Sequence, residues 1–413
     1  MKSFAGRWGL VLSLISLVIV TVILTAAVLT RGEKQEISSS AESEEADTVS
    51  AAAPVKDPEM LAVWVPAFSL NPAGQGEQVF KEKFDKILSA AKSRKMNTLV
   101  VQVRSFADAY YPSDLFPWSG NLSGEQGKDP GYDPLAYMVE HTHKEGLQFH
   151  AWVNPYRIRL NGVPETFSEN NLYVKWQNDP EKADWCLMWE ETGGIYLNPA
   201  VPEVREVIKA GIREITEQYD VDGVQFDDYF YPTESPEFDK TTYEAYCRSC
   251  GEDALSLLTW RQQNVSLLVH SVYEALHQAK PTAVFGISPQ GNVENDERLG
   301  ADVTLWCSQR GYVDYICPQL YYNFEHPLLP YDKAAKQWRS LVTCKDVKLY
   351  FGLGLYKASS DYDSGTWKHS DSILAQEVDA GRELGCDGFM FYSCEYMEKR
   401  ETQNEIENVM AVL

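Results

Sequence analysis

Two consecutive carboxylates, Asp227 and Asp228, stand inside the segment DGVQFDDYFYP that runs from Asp222 to Pro232. The first half of that segment has the apolar run of a buried parallel strand, so the two acids fall where the strand ends. In a βα barrel the carboxyl ends of the strands open onto the active-site face, which makes acids there the first candidates for catalysis. Tyr229, Phe230 and Tyr231 follow at once. Carboxylates beside flat apolar surfaces suit a sugar, whose C–H faces stack on rings while its hydroxyls and scissile oxygen need acids and amides. The plainer reading is a helix cap or a structural salt bridge, and the choice turns on whether the surrounding chain is a barrel.

Past Pro58 the chain alternates short apolar runs with longer amphipathic ones, the pattern of a parallel sheet with helical crossovers. The predicted strands are LAVWVPAF from Leu61, NTLVVQVRS from Asn97, LQFHAWVNP from Leu147, VDGVQFDD from Val221, AVFGISPQG from Ala283, DYICPQLYY from Asp314, KLYFGLGLY from Lys348 and CDGFMFYSC from Cys386. Helices are predicted over Phe80 to Lys95, Pro202 to Tyr219, Ala254 to Ala279 and Asp371 to Leu384. In the second of these Val204, Val207, Ile208, Ile212 and Ile215 recur at helical spacing, and Pro202 suits the first turn. The fold class is therefore α/β, a (β/α)8 barrel over residues 58–413, with a doubly wound open sheet as the alternative. No Gly-rich phosphate fingerprint follows the first strand to favour that alternative. Long polar and aromatic insertions after the second, third and fourth strands (Phe106 to Gly131, Tyr156 to Ala200, Phe230 to Gly251) would all lie on the C-terminal face.

Alternate residues of a barrel strand point inward, and several of these positions are polar. They are Gln102 and Arg104 on the second strand, His150, Trp152 and Asn154 on the third, and Gln225 and Asp227 on the fourth. Ser288 and Gln290 follow on the fifth, and Gln319 and Tyr321 on the sixth. Polar groups repeated at period two need a wet cavity, because each one buried without a partner costs about 1–3 kcal/mol. Apart from Gln102 and the catalytic candidate Asp227, they are, together with Tyr229, the expected substrate-binding residues. Individually, His150 reads either as a satisfied core histidine or as a ligand for a sugar hydroxyl. Arg104 reads either as a structural partner of an aspartate or as a group acting on substrate or nucleophile. Of the tryptophans near strand ends and in loops, some belong to the core and some are expected to be sugar platforms. Glu395, just past the last strand, and Glu325, just past the sixth, are the remaining candidates for a second carboxylate.

The chain has 413 residues, 44% of them hydrophobic, and a net charge of −23, which argues against nucleic acid as a partner and against broad docking on anionic lipid. Lys2 and Arg7 precede an uncharged run from Trp8 to Thr30, long enough to span a hydrocarbon core of about 30 Å as a helix. Residues 1–30 thus read as a transmembrane signal-anchor with a cytoplasmic N-terminus, putting residues 8–30 in the lipid bilayer and the catalytic domain outside the cell. Cleavage after this segment would instead give a secreted protein. Residues 31–57, rich in Ser, Ala and Glu, read as a disordered tether. Of the eight cysteines, Cys317, Cys386 and Cys394 fall in or beside strands and read as buried thiols. Cys247 and Cys250 read as free thiols or a local disulfide in preference to half a zinc site.

At this point the segments LAVWVPAF, VQVRSFADAYYPSDLFPWS from Val100, HAWVNPYR from His150, LNPAVPEVREV from Leu197, DGVQFDDYFYP, GISPQGN and YICPQLYY resemble the successive motifs of the glycosyl-hydrolase-like family 10 domain. The resemblance covers Met60 to Tyr396 in order. It implies a TIM barrel of a bacterial exported or envelope-anchored protein that hydrolyses a glycan, with peptidoglycan or another envelope polysaccharide as substrate. It also points to Asp227, at the end of strand four, as nucleophile and to Asp228 as its neighbour or alternative. Related barrels take the acid from the end of strand six, where this chain has PQLYY, so the proton donor stays open between Asp228 and Glu395. In a chitinase-like comparison Tyr229 stands where a catalytic glutamate is expected, which disfavours that mechanism. No metal or other cofactor is needed. The competing expectations are a glycan-binding barrel without catalysis and a metal-dependent esterase using Asp227, Asp228 and His150.

Overall fold

The computed structural model describes residues 58–413; the anchor and tether assigned above to residues 1–30 and 31–57 lie outside the described residues. Among the described residues no helix is long and apolar enough to cross a membrane. Eight parallel strands close into a barrel. They are β1 (Met60–Val65), β2 (Thr98–Arg104), β3 (Gln148–Val153), β4 (Gly223–Phe226), β5 (Val284–Ile287), β6 (Tyr315–Ile316), β7 (Lys348–Leu353) and β8 (Gly388–Phe391). Each pairs with its sequence neighbour, and β8 returns to β1 through Met60 opposite Gly388. The open sheet is thereby set aside.

Strand alternation divides the apolar residues into two cores. Outward residues such as Val101, Val153, Phe226 and Phe285 pack under helices that include Glu77–Ser93, Pro202–Gln218, Leu257–Ala279 and Ile373–Glu383. Inward residues, among them Met60, Ala62, Val100, Tyr315 and Met390, fill the barrel itself. Tyr315 crosses the interior over Gly286, where an added Cβ would lie 2.0 Å from its ring.

One strand departs from the expected alternation. Gln102 pairs with Trp152, but the next paired residue is Arg104 with Val153, so Val103 is an extra residue in a β-bulge. The bulge keeps Gln102 inward and turns Arg104 outward. Its guanidinium stacks 4.4 Å from the centre of the Phe116 ring and faces Gly211 on the helix Pro202–Gln218. The expectation that Arg104 faces substrate is therefore corrected: it is a buried group between sheet and helix. A Cβ at Gly211 would lie 2.3 Å from Arg104 Nη1 and 2.5 Å from the Phe116 ring. Gly211→Ala is predicted to cost about 1–3 kcal/mol through overpacking, more than the ~1 kcal/mol that alanine gains in a helix. A lower urea midpoint at unchanged slope is the expected result, and an unchanged midpoint would show that Arg104 has room to withdraw.

The three long insertions do lie past the carboxyl ends of β2, β3 and β4. The one after β3 folds into an antiparallel sheet of Arg157–Arg159, Gly194–Leu197 and Cys186–Trp189, with the middle strand of that sheet formed by Gly194–Leu197. The one after β4 is pinned by a buried pair: Arg261 Nε donates to Asp239 Oδ2 at 2.9 Å, and its other nitrogens reach the carbonyls of Thr233, Glu234 and Ser235. All eight cysteines are free thiols, with Cys317, Cys386 and Cys394 buried and Cys247 and Cys250 half-buried.

Candidate active site

A cavity of about 680 Å³ opens at the carboxyl ends of the strands. Asp227 and Asp228 are the carboxylates that line it among the described residues. Asp227 follows Phe226, whose side chain points outward into the helix layer, so alternation turns the aspartate inward. Trp152 Nε1 donates to Asp227 Oδ2 at 3.0 Å, Asn154 Nδ2 donates to the same oxygen, and the Tyr229 backbone N–H donates to Oδ1 at 3.3 Å. Asp228 turns the other way, toward β6, and accepts from Gln319 Nε2 at 3.1 Å. The pair thus diverges, one acid held from the β3 side and the other from the β6 side.

Behind Asp227 lies a chain of amides. The Ala67 N–H donates to Gln102 Oε1 at 3.1 Å, Gln102 Nε2 donates to Asn154 Oδ1 at 2.6 Å, and Asn154 passes the chain on to Asp227. Arg157 Nη2 also donates to Asn154 Oδ1, at 2.9 Å, while its Nε donates to the Ser105 carbonyl at 3.1 Å. The guanidinium of Arg157 lies 4.7 Å from the Phe106 ring centre and 4.5 Å from that of Tyr229.

Burial is the largest influence on both acids and pushes both up, Asp227 to about 7, with the charge of Asp228 adding to the rise and Arg157 and the N–H donors opposing it. Two carboxyls this close release their protons in two steps that belong to the pair. Burial also pushes the His150 imidazole down to about 4, so the ring is neutral at physiological pH.

Trp152, Gln225, Asp227, Asp228, Tyr229, Ser288, Gln319 and Tyr321, all singled out from sequence, line the cavity, as does Gln102. The Gln225 Nε2 and the Ser288 hydroxyl, on residues that line the cavity, are buried with no protein partner among the described residues. Besides Arg104, four of the expected site residues lie elsewhere. His150 sits one layer deeper, with Nδ1 3.1 Å from the Tyr315 hydroxyl, and the same hydroxyl donates to Gln225 Oε1 at 3.2 Å. It is a satisfied core histidine, because its position on β3 is one inward step below Trp152. Asn154 is buried behind Asp227, as described. Gln290 is engaged through its backbone N–H, which donates to Asp296 Oδ1 at 2.9 Å. Glu395 is exposed in the short helix Cys394–Tyr396 that turns the chain away from the cavity. Glu325, the other candidate, pairs with His369 Nδ1 at 2.8 Å on the surface.

Several lining residues escaped sequence reasoning, notably Arg157, Phe68, Phe106, Tyr356 and Tyr392. They sit in the connections past the strand ends, on short helical turns, a short strand or loops, where no long-range periodicity gives their direction. Arg157 alone left a signal, as a cation three residues after the inward Asn154 in HAWVNPYR. Trp64 and Trp152 are the tryptophans that reach the cavity, whereas Trp306 is fully buried in the outer core.

A closed (β/α)8 barrel with an acid pair and aromatic walls at its carboxyl-end opening is the architecture of a glycosidase, and the comparisons with known proteins agree. The family model described as glycosyl hydrolase-like 10 matches residues 59–367. The chain belongs to that family. It is 38% identical over 370 residues to glycosyl hydrolase YngK of Bacillus subtilis, covering 83% of this chain and 69% of that protein. It is 33% identical to glycosyl hydrolase DigH of Escherichia coli K12, covering 83% and 82%. Two solved structures share the fold at low identity. The glycoside hydrolase domain of PgaB (BpsB) from Bordetella bronchiseptica superposes with a TM-score of 0.57 at 14% identity, covering 86% of this chain and 99% of that one. The catalytic domain of β-amylase from Paenibacillus polymyxa gives 0.58 at 12%, with the same coverage.

Proposed function

We propose that this glycosidase hydrolyses the glycan strands of an envelope polysaccharide, with peptidoglycan first among them, outside the membrane to which residues 8–30 anchor it. The observation that carries the reading is the divergent pair Asp227 and Asp228 in an aromatic-walled cavity. Glycoside hydrolysis needs one acid ionised and one protonated. Three N–H groups converge on Asp227 and favour its ionised form, whereas Asp228 accepts from the Gln319 side chain on one oxygen and can carry a proton on the other. Asp227 therefore carries the charge and faces the developing oxocarbenium centre as nucleophile or stabiliser. Asp228 protonates the leaving oxygen. The free Gln225 amide and Ser288 hydroxyl hold sugar hydroxyls, and Trp64, Trp152 and Tyr321 offer flat faces.

The test is incubation of the purified chain with isolated cell-wall glycan strands and a panel of other envelope polysaccharides. New reducing ends should appear with at least one of them. Binding without release from any would replace hydrolysis by glycan binding in the same cavity. In intact cells, added protease should remove the catalytic domain; full protection would overturn the external location.

A further inference from the structure

The cavity wall formed by Tyr321 continues outward beyond the cavity. Tyr321 and Tyr356 have ring centres 5.6 Å apart, edge to face, and Tyr356 is in turn 5.5 Å from Tyr362. Tyr321 and Tyr356 line the cavity, whereas Tyr362 stands outside it with 54% of its surface exposed. An exposed tyrosine is ordinary by itself, but this one is held from below. Lys357, 8% exposed, places its ammonium 6.0 Å from the Tyr356 ring centre and 5.6 Å from that of Tyr362. The ammonium donates to the Tyr321 carbonyl at 2.7 Å and to Asp363 Oδ2 at 3.0 Å, and Trp367 Nε1 donates to the same carboxylate at 2.7 Å. A buried cation, its counter-ion and a tryptophan thus lock the loop that displays the outermost ring.

We propose that Tyr356 and Tyr362 form a distal subsite on which a pyranose ring of the bound glycan stacks, beyond the sugars that occupy the cavity. The inference rests on the glycan-hydrolysis reading and adds chain-length selectivity to it. The ligand class follows from the surface: ring faces held rigid lose little entropy on binding, and they match the C–H face of a sugar while leaving its hydroxyls in water. The occupant follows from continuity, since the wall runs without a break from the cavity to Tyr362.

The experiment uses the full-length chain, its Tyr362→Ala and Tyr362→Phe variants, and soluble cell-wall glycan fragments of graded length. Because Tyr362 is exposed, its truncation leaves the fold intact. For fragments long enough to reach the platform, Tyr362→Ala is expected to lower kcat/KM by about three- to tenfold, the range of one lost aromatic contact. The shortest cleaved fragments keep their rate, and Tyr362→Phe restores the long ones. Equal loss at all lengths, or none at any length, overturns the subsite. Calorimetric binding of the same fragments separates the two readings. Length-dependent affinity that needs Tyr362, without cleavage, leaves the subsite standing and removes hydrolysis. Neither binding nor cleavage removes both.

Discussion

Asp227→Asn is expected to lower kcat/KM on a cleaved glycan by at least about 10³-fold while the barrel stays folded. Asparagine keeps the shape and an acceptor for Trp152 and Asn154 but carries no charge to face an oxocarbenium ion. The same substitution has an opposite effect on stability, and pH exposes it. Burial and the crowding of two carboxyls hold one proton on the Asp227–Asp228 pair up to about 7, against about 4 for a carboxyl in an unfolded chain. Across that interval the native state binds more protons than the unfolded one, so the parent loses stability as pH rises through it and has lost that contribution above about pH 7. Asparagine does not titrate. Relative to the parent, the variant should gain on the order of 2–4 kcal/mol between about pH 5 and about pH 8, read by chemical denaturation at the two values. A variant with near-parental turnover would remove Asp227 from the chemistry. One with no pH-dependent gain would show that the carboxyl is not desolvated as its surroundings imply.

Asp228→Asn is the second large effect, and leaving-group chemistry separates it from the first. Loss of a general acid costs about 10²–10⁴-fold when the departing sugar oxygen needs a proton. An aryl glycoside whose phenol leaves as an anion does not need one, so that substrate should be largely spared by Asp228→Asn and not by Asp227→Asn. In the parent, the singly protonated pair is the working form, and burial pushes the Asp228 carboxyl up from its ordinary range. Activity should therefore fall as pH rises and that proton leaves, and this limb should vanish in Asp228→Asn. Equal losses on both substrates would reassign Asp228 to positioning.

How much of this was legible before the structure depends on where each residue sits. The strands were, because a buried parallel strand is a short apolar run and eight of them alternate with amphipathic segments. Asp227, Gln225 and Trp152 were, because period-two alternation carries cleanly along β3 and β4. Arg104 was not, because the extra residue Val103 reverses the parity, and a bulge leaves no mark in residue types. His150 obeyed the alternation but occupies a deeper layer, and depth along the barrel axis is set by strand register, which one sequence does not contain. Arg157, Phe68, Tyr356 and Tyr392 were missed because the short turns, strand and loops that carry them past the barrel strands are too brief to show a period. Glu395 was over-read for the converse reason: nearness to a strand end does not aim a side chain.

The amide chain from Ala67 through Gln102 and Asn154 has a consequence for how this site can change. It references the position of Asp227 to the ends of β1, β2 and β3, not to the loop that supplies Tyr356 and Tyr362. Chemistry and selectivity are therefore mechanically separable. Exchange of that loop can retarget the barrel to another polymer without re-aiming the charge, and for an engineer the amides, Arg157 and the turn at Tyr229 are the part to leave alone.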